Sequence, residues 1–160
     1  MTIQLTEKIP NIPVQTTGDI TFELPNLGNK QIVLYFYPKD NTPGCTTEGQ
    51  NFRDHYLDFQ KSNTVILGVS RDTLRVHENF KRKHQFPFEL ISDKDECLCQ
   101  LFNVIKLKKL YGREYRGIER STFLIDRQGR LAHEWRNIKI AGHVEQVLLI
   151  AKKMSASTQV

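Results

Sequence analysis

Cysteine is scarce in this chain, and the scarcity removes one class of architecture. Three cysteines in 160 residues cannot close an even set of bridges, so no disulfide framework is expected and a reducing compartment fits. Long apolar runs are also missing: nothing approaches the roughly 18 consecutive apolar residues that a membrane span needs. The opening Met1–Pro10 has no basic start followed by an apolar core, so no secretory leader is expected. These absences predict a cytoplasmic protein with no membrane partner. Internal repeats, low-complexity tracts and interdomain linkers are lacking too. Residues 1–160 are therefore expected to be one domain, with a frayed tail over 155–160.

Ligand-like groupings are equally thin. His77 and His84 stand seven residues apart on an expected helix, two turns and too far for one ion. His55, His133 and His143 are isolated, and exposed or internally satisfied histidines are the ordinary case. Cys97 and Cys99 have no cysteine or histidine close by in sequence to complete a metal site. No metal and no cofactor are expected. The composition, 39% hydrophobic and 26% charged, is that of an ordinary soluble globular domain. A net charge of +5 raises nucleic acid as a partner. Its densest source is Lys106–Arg116, where two tyrosines sit among five basic residues. No nucleic-acid motif accompanies that charge, so the segment reads as a solvated loop whose long stems cover apolar surface.

The organisation of the chain centres on one turn. Ile32–Tyr37 is an unbroken apolar and aromatic run, the pattern of a strand buried on both faces. After it come Pro38, Asp40, Asn41, Thr42, Pro43, Gly44 and Cys45, an exposed turn that delivers a cysteine. Phe52, Tyr56 and Phe59 then mark a helical stripe reaching about Lys61. Thr42 is a credible N-cap and Pro43 suits the first helical position. Cys45 falls in the first turn, where free amides and the helix dipole favour an anion such as a thiolate. The plain alternative is a small core cysteine that happens to start a helix. The site-like position, where a strand end feeds a helix, argues for a reactive thiol.

Elsewhere, a short hairpin is expected near Thr21–Leu24 and a second apolar strand over Thr64–Ser70. Asp72 or Thr73 caps a helix with Val76, Phe80 and His84 on one face. Phe86–Ile91 reads as a short edge strand with its proline at the start. Asp93 caps a helix carrying Leu98, Leu101, Phe102 and Ile105. Thr122–Asp126 and Leu131–Trp135 form a hairpin around Arg127–Arg130. Val144, Val147, Leu148 and Ala151 line a final helix. This order is α/β with a mixed sheet flanked by helices.

Pro38-xxx-Thr42-xx-Cys45 resembles the P-x-x-x-T/S-x-x-C signature of the peroxiredoxins. The longer string Phe36–Asp40 with Thr42–Thr46 is similar to the peroxiredoxin Q branch, also called bacterioferritin comigratory proteins. The likeness continues at Gly68–Ser70, Leu90–Asp93 and Arg120–Asp126, and covers nearly the whole chain. It implies a thioredoxin-like fold with an N-terminal β-hairpin, a monomer, and an antioxidant peroxidase acting on hydroperoxides. It casts Cys45 as the nucleophile, Thr42 as donor to the peroxide, Pro38 as a wall of the pocket, and Arg120 as holder of thiolate and peroxide. Gly44 and Glu48 are assigned to substrate binding, Gly44 together with Cys45 through their amides and Glu48 where it can orient Arg120. On the residues alone, Arg120 reads as a surface ion-pair partner and Glu48 as a first-turn surface carboxylate.

The departure from the family concerns the second thiol. Gln50 occupies one usual resolving position, and Arg75–Gln85 holds no cysteine. Cys97 and Cys99, two apart on a helix, point roughly 200° from each other and read first as packing residues. A one-cysteine cycle is expected, with an external thiol (thioredoxin, glutaredoxin or glutathione) as reductant. Resolution by Cys97 or Cys99 is one alternative. A thioredoxin-like disulfide reductase is another, although Glu48 stands where the second cysteine of Cys-x-x-Cys would be.

Overall fold

The computed structural model describes residues 2–157. Its elements run β1 (Ile12–Thr16), β2 (Ile20–Leu24), β3 (Gln31–Phe36), α1 (Pro43–Asp54), α2 (Tyr56–Lys61), β4 (Thr64–Ser70), α3 (Leu74–His84), β5 (Glu89–Ser92), α4 (Cys97–Leu101), β6 (Ile105–Leu110), β7 (Arg113–Ile118), β8 (Ser121–Ile125), β9 (Leu131–Trp135) and α5 (His143–Ser157). Among the described residues, seven strands form one sheet in the order β2-β1-β5-β4-β3-β8-β9, and β6 and β7 form a separate pair. β3 lies parallel to β4 and antiparallel to β8, so the sheet is mixed, as expected.

β3 is buried at every position, and its alternation sorts the core into two clusters. Val33, Tyr35 and Tyr37 face Phe52, Phe59, Phe80 and the buried side of α5, while Ile32, Leu34 and Phe36 face Leu98, Phe102 and Phe123. Each fully buried side chain of this size contributes about 1.5–3 kcal/mol. Tyr35 stacks on Phe52 with ring centroids 4.5 Å apart, which draws α1 against the strand that precedes it.

Several local expectations are corrected. The helix after the cysteine turn breaks at His55, whose amide is shared between Asn51 O at 3.3 Å and Phe52 O at 3.2 Å. On α3 the buried residues are His77 and Phe80, whereas Val76 is 36% exposed. Thr73 caps that helix by accepting from the Val76 amide at 3.3 Å. β5 is interior, because the N-terminal hairpin adds to its free edge through Thr16 opposite Ile91. The Thr17 hydroxyl also accepts from the Leu90 amide at 2.9 Å. Lys106–Arg116 is a hairpin of two paired strands rather than a loop. The helix capped by the Asp93 carboxylate, which accepts from Leu98 and Cys99 amides at 3.0 and 2.8 Å, ends at Leu101. Finally, α5 continues to Ser157 with Ser155 buried, so 155–157 are not frayed; 158–160 lie outside the described residues.

Gly68, opposite Tyr35 in the β3–β4 ladder, lets that ring cross the sheet. A Cβ there would sit 2.8 Å from the Tyr35 ring and from Leu90 Cδ2. Gly68→Ala is therefore expected to cost about 1–3 kcal/mol of stability through overpacking. Urea denaturation should show a lower midpoint with an unchanged slope; an unchanged midpoint would show that Tyr35 is free to move.

Candidate active site

The loop from Tyr37 to Thr42 is held from beneath by buried polar groups. The Tyr37 hydroxyl donates to Asp40 Oδ1 at 2.6 Å, and Asp40 Oδ2 lies 2.5 Å from His77 Nδ1 on α3. His77 Nε2 lies 2.9 Å from the Ile91 carbonyl. The ring is thus held between a carboxylate and a backbone carbonyl. Asp72 accepts the Asp40 amide at 2.9 Å and the Ser70 hydroxyl at 2.6 Å. Asp40, Asp72 and His77 bring one ligand atom each within 4.8 Å of one another. Those atoms are already engaged within the protein, and the group acts as an anchor for the turn.

Above that anchor α1 begins, with Pro43 at its first position as expected. Thr42 occupies the N-cap position, but its hydroxyl donates to the Lys39 carbonyl at 2.8 Å and caps no amide. The amides of Gly44 and Cys45 thus lie in the first turn without an intrahelical acceptor. Pro38 is half-buried immediately past Tyr37. Cys45 is only 2% exposed, which corrects the exposed turn read from its flanking residues.

Arg120, entering from the start of β8, covers the cysteine. Its Nη2 lies 3.4 Å from Cys45 Sγ and its Nη1 donates to Glu48 Oε1 at 2.7 Å. A Cβ on Gly44 would meet Arg120 Nη2 at 3.3 Å and Ile140 Cδ1 at 3.2 Å. Glycine therefore permits both groups to close over the helix start. The loop bearing Ile140 is tied in by the Ile138 amide, which donates to the Arg120 carbonyl at 3.1 Å.

Electrostatically, one guanidinium stands between two acids. Glu48 is fully buried, and its Oε2 has no hydrogen-bond partner among the described residues. Burial outweighs the Arg120 ion pair and raises its pKa from 4.5 to about 7. The Tyr35 hydroxyl is likewise unpartnered, and burial followed by the Glu48 charge pushes its pKa well up. Lys108, from β6, has its pKa lowered by burial and then by Arg120. His143 Nε2 lies 2.8 Å from Thr122 Oγ1, and burial, then Arg120, lowers its pKa from 6.5 to about 4. A helix start, a guanidinium and scarce solvent make a site for a small anion or a polarisable oxygen.

The structure brings Cys45, Gly44, Glu48 and Arg120 into contact, with Thr42 and Pro38 on the same turn. Tyr35, Ile140, Lys108, His143 and His77 were not singled out from the sequence. Tyr35 sits in an apolar strand run that carries no mark of a site, His77 lies off the expected Val76–Phe80–His84 stripe, and Ile140 lies in a loop.

Comparison with known proteins shows the family. The AhpC/TSA family matches residues 5–134. Peroxiredoxin Bcp of Bacillus subtilis is 49% identical over 155 residues, covering 97% of this chain and 99% of that one. The chain belongs to the AhpC/TSA family, on its peroxiredoxin Q branch. A cysteine-to-serine variant of peroxiredoxin Q from Xylella fastidiosa superposes with a TM-score of 0.90 at 41% identity, covering 96% of this chain and 98% of that one. A Xanthomonas campestris bacterioferritin comigratory protein superposes at 0.85 with 45% identity, covering 90% and 92%. The fold is thus the thioredoxin-like one of peroxiredoxins.

In this peroxiredoxin the three thiols are divided by the sheet. Cys45 packs in the cluster with Tyr35 and Phe52, whereas Cys99 packs in the opposite cluster with Phe36 and Phe102. Cys97 is exposed and Cys99 buried, which matches their opposed directions on α4. Burial and then Asp93 push the Cys99 thiol pKa far up.

Glu48 and His143 give stability opposite pH slopes. Glu48 titrates at about 7 in the folded chain against 4.5 ordinarily, so its stabilising term is present below 4.5 and lost as pH rises to 7. His143 titrates at about 4 against 6.5, so its term is present above 6.5 and lost as pH falls to 4. Each amounts to at most about 3 kcal/mol. Urea midpoints of Glu48→Gln should fall as pH drops from 6.5 to 4, and those of His143→Gln should fall as pH rises from 4.5 to 7. The same slope in both variants would contradict the assignment.

Proposed function

We propose that this peroxiredoxin reduces hydrogen peroxide and organic hydroperoxides with Cys45 as the attacking thiolate. The observation that carries the reading is Arg120, which reaches Cys45 Sγ at 3.4 Å while Glu48 holds its other nitrogen at 2.7 Å. The Xanthomonas campestris homologue has been studied for alkyl peroxide reduction in trapped intermediate and ligand complexes, which supports the same substrate class here.

The thiolate sulfur attacks one peroxide oxygen in line with the O–O bond. An S–O bond forms, the O–O bond breaks, and the departing oxygen takes a proton to become water or alcohol. Cys45 is left as a sulfenic acid. Arg120, charged at every relevant pH, stabilises the thiolate and then the charge moving onto oxygen. The free amides of Gly44 and Cys45 point from the same helix start, and the Thr42 hydroxyl on the same turn donates to peroxide once it leaves the Lys39 carbonyl. Pro38 and Ile140 limit water. Glu48 does not meet the substrate in this reading; it orients Arg120.

An external thiol completes the cycle. Its sulfur attacks Cys45 Sγ and displaces water, and a second thiol releases Cys45 as a disulfide forms on the reductant. The placement of Cys97 and Cys99 on α4, across the sheet from Cys45, favours this one-cysteine cycle over an internal resolving thiol. The protein acts alone in this reading, as a monomer in the cytoplasm, with thioredoxin, glutaredoxin or glutathione as the reductant.

Cys45→Ser should abolish peroxide consumption. Arg120→Lys should lower the second-order rate with peroxide by about 10²–10³-fold, because a lysine cannot hold both acids. Intact mass after one equivalent of peroxide should show one oxygen on Cys45 with Cys97 and Cys99 still titratable. Undiminished turnover in Cys45→Ser would refute the reading, and a Cys45–Cys97 link would refute the one-cysteine cycle.

A further inference from the structure

The β6–β7 hairpin projects from the fold beside the active site. Its foot is anchored by Ile118 in the core and by the Glu119 amide donating to Val104 O at 2.7 Å. Beyond that foot Leu107 is 73% exposed, Leu110 56%, Tyr111 95% and Tyr115 45%. Leu110 and Tyr115 share one face, Leu107 lies on the other and Tyr111 is in the turn; exposed leucine and tyrosine together mark an interaction surface.

The ladder sorts the hairpin into two unlike faces. Lys106 opposite Gly117, Lys108 opposite Tyr115 and Leu110 opposite Arg113 share one face. Lys108 ties that face to the rim of the site: its Nζ donates at 2.5 Å to the carbonyl of Ile118, two residues before Arg120. This face carries no acid, and neither Lys106 nor Arg113 has a carboxylate within ion-pair distance among the described residues. The other face is internally balanced, with Lys109 3.9 Å from Glu114 and Arg116 2.9 Å from Glu96.

We propose that the face formed by Lys106, Lys108, Leu110, Arg113 and Tyr115 is the docking surface for an acidic protein dithiol, the reductant of Cys45. The proposal rests on the peroxidase reading and specifies its partner. Cys45 is 2% exposed, so a reductant reaches it only by resting on the rim of the site. The row from Lys106 to Leu110 is about 13 Å long at strand spacing, more than a small thiol spans. Uncompensated cations around leucine and tyrosine call for carboxylates around an apolar patch. Once docked, one partner thiol attacks Cys45 Sγ, water leaves, and a mixed disulfide forms. The second partner thiol then attacks its own bonded sulfur. Cys45 is released as a thiol, and the partner, having lost two electrons, leaves as a disulfide.

The test compares wild type with Lys106→Glu/Arg113→Glu in steady-state peroxide reduction, using a thioredoxin of acidic isoelectric point kept reduced. The KM for thioredoxin should rise about tenfold or more with kcat nearly unchanged. Added salt should raise the wild-type KM and hardly affect the variant. Lys109→Glu, on the opposite face, should leave KM within about twofold. Turnover driven by dithiothreitol reports the Cys45 chemistry by itself, and equal rates in all three proteins keep the peroxidase reading intact whichever way KM moves. An unchanged KM in the double variant, or an equal rise in Lys109→Glu, would overturn the docking face. So would loss of single-stranded DNA binding in the double variant with KM unmoved, which would assign the surface to nucleic acid.

Discussion

The site depends on one guanidinium placed between two buried acids. Without Arg120, Glu48 would be a carboxylate sealed in apolar surroundings and Cys45 a thiol with no cation beside it. Burial makes the ion pair costly to assemble, since each charge loses its water, but it also lets the single cation act on both groups at short range. Other features of the region serve this arrangement. Gly44 leaves room for the guanidinium, the Ile138 amide ties down the backbone that carries it, and the Tyr35 ring closes the floor. The strand that supplies Arg120 is paired to the strand that ends in the cysteine turn, so the two halves of the site are joined by the most buried ladder of the sheet.

Much of this was legible in the sequence. The apolar run of β3, the proline and glycine before Cys45, and the stripe of α5 each predict their element from local pattern alone. What escaped depended on contacts distant in the chain. β5 looked like an edge because its neighbour β1 lies more than seventy residues earlier. Thr42 looked like a cap because its type and position fit one, yet its hydroxyl turned back to Lys39. Cys45 looked exposed because turn residues surround it, but Arg120 and Ile140 come from 75 and 95 positions away to cover it. His77 looked unremarkable among the histidines, and only the folded chain sets it against Asp40 in the motif itself.

The hairpin shows the same limit from the other side. Its lysines and tyrosines read as solvated, and most are. Composition cannot tell that alternate residues divide into a balanced face and a purely basic one, because that sorting exists only once β6 and β7 are in register.

Under the proposed one-cysteine cycle, the separation of the thiols by the sheet governs the fate of the oxidised enzyme. In a one-cysteine cycle no tethered sulfur sits at high local concentration, so the sulfenic acid on Cys45 waits for a collision. Two reagents compete for it at the same narrow opening: a thiol that restores it, and a second peroxide that drives it to sulfinic acid. The working life of each molecule is then a ratio of two bimolecular rates, set by the surroundings as much as by the fold. A chain that worked by this cycle would suit low peroxide and plentiful reductant, and would record any departure from that balance as lost activity.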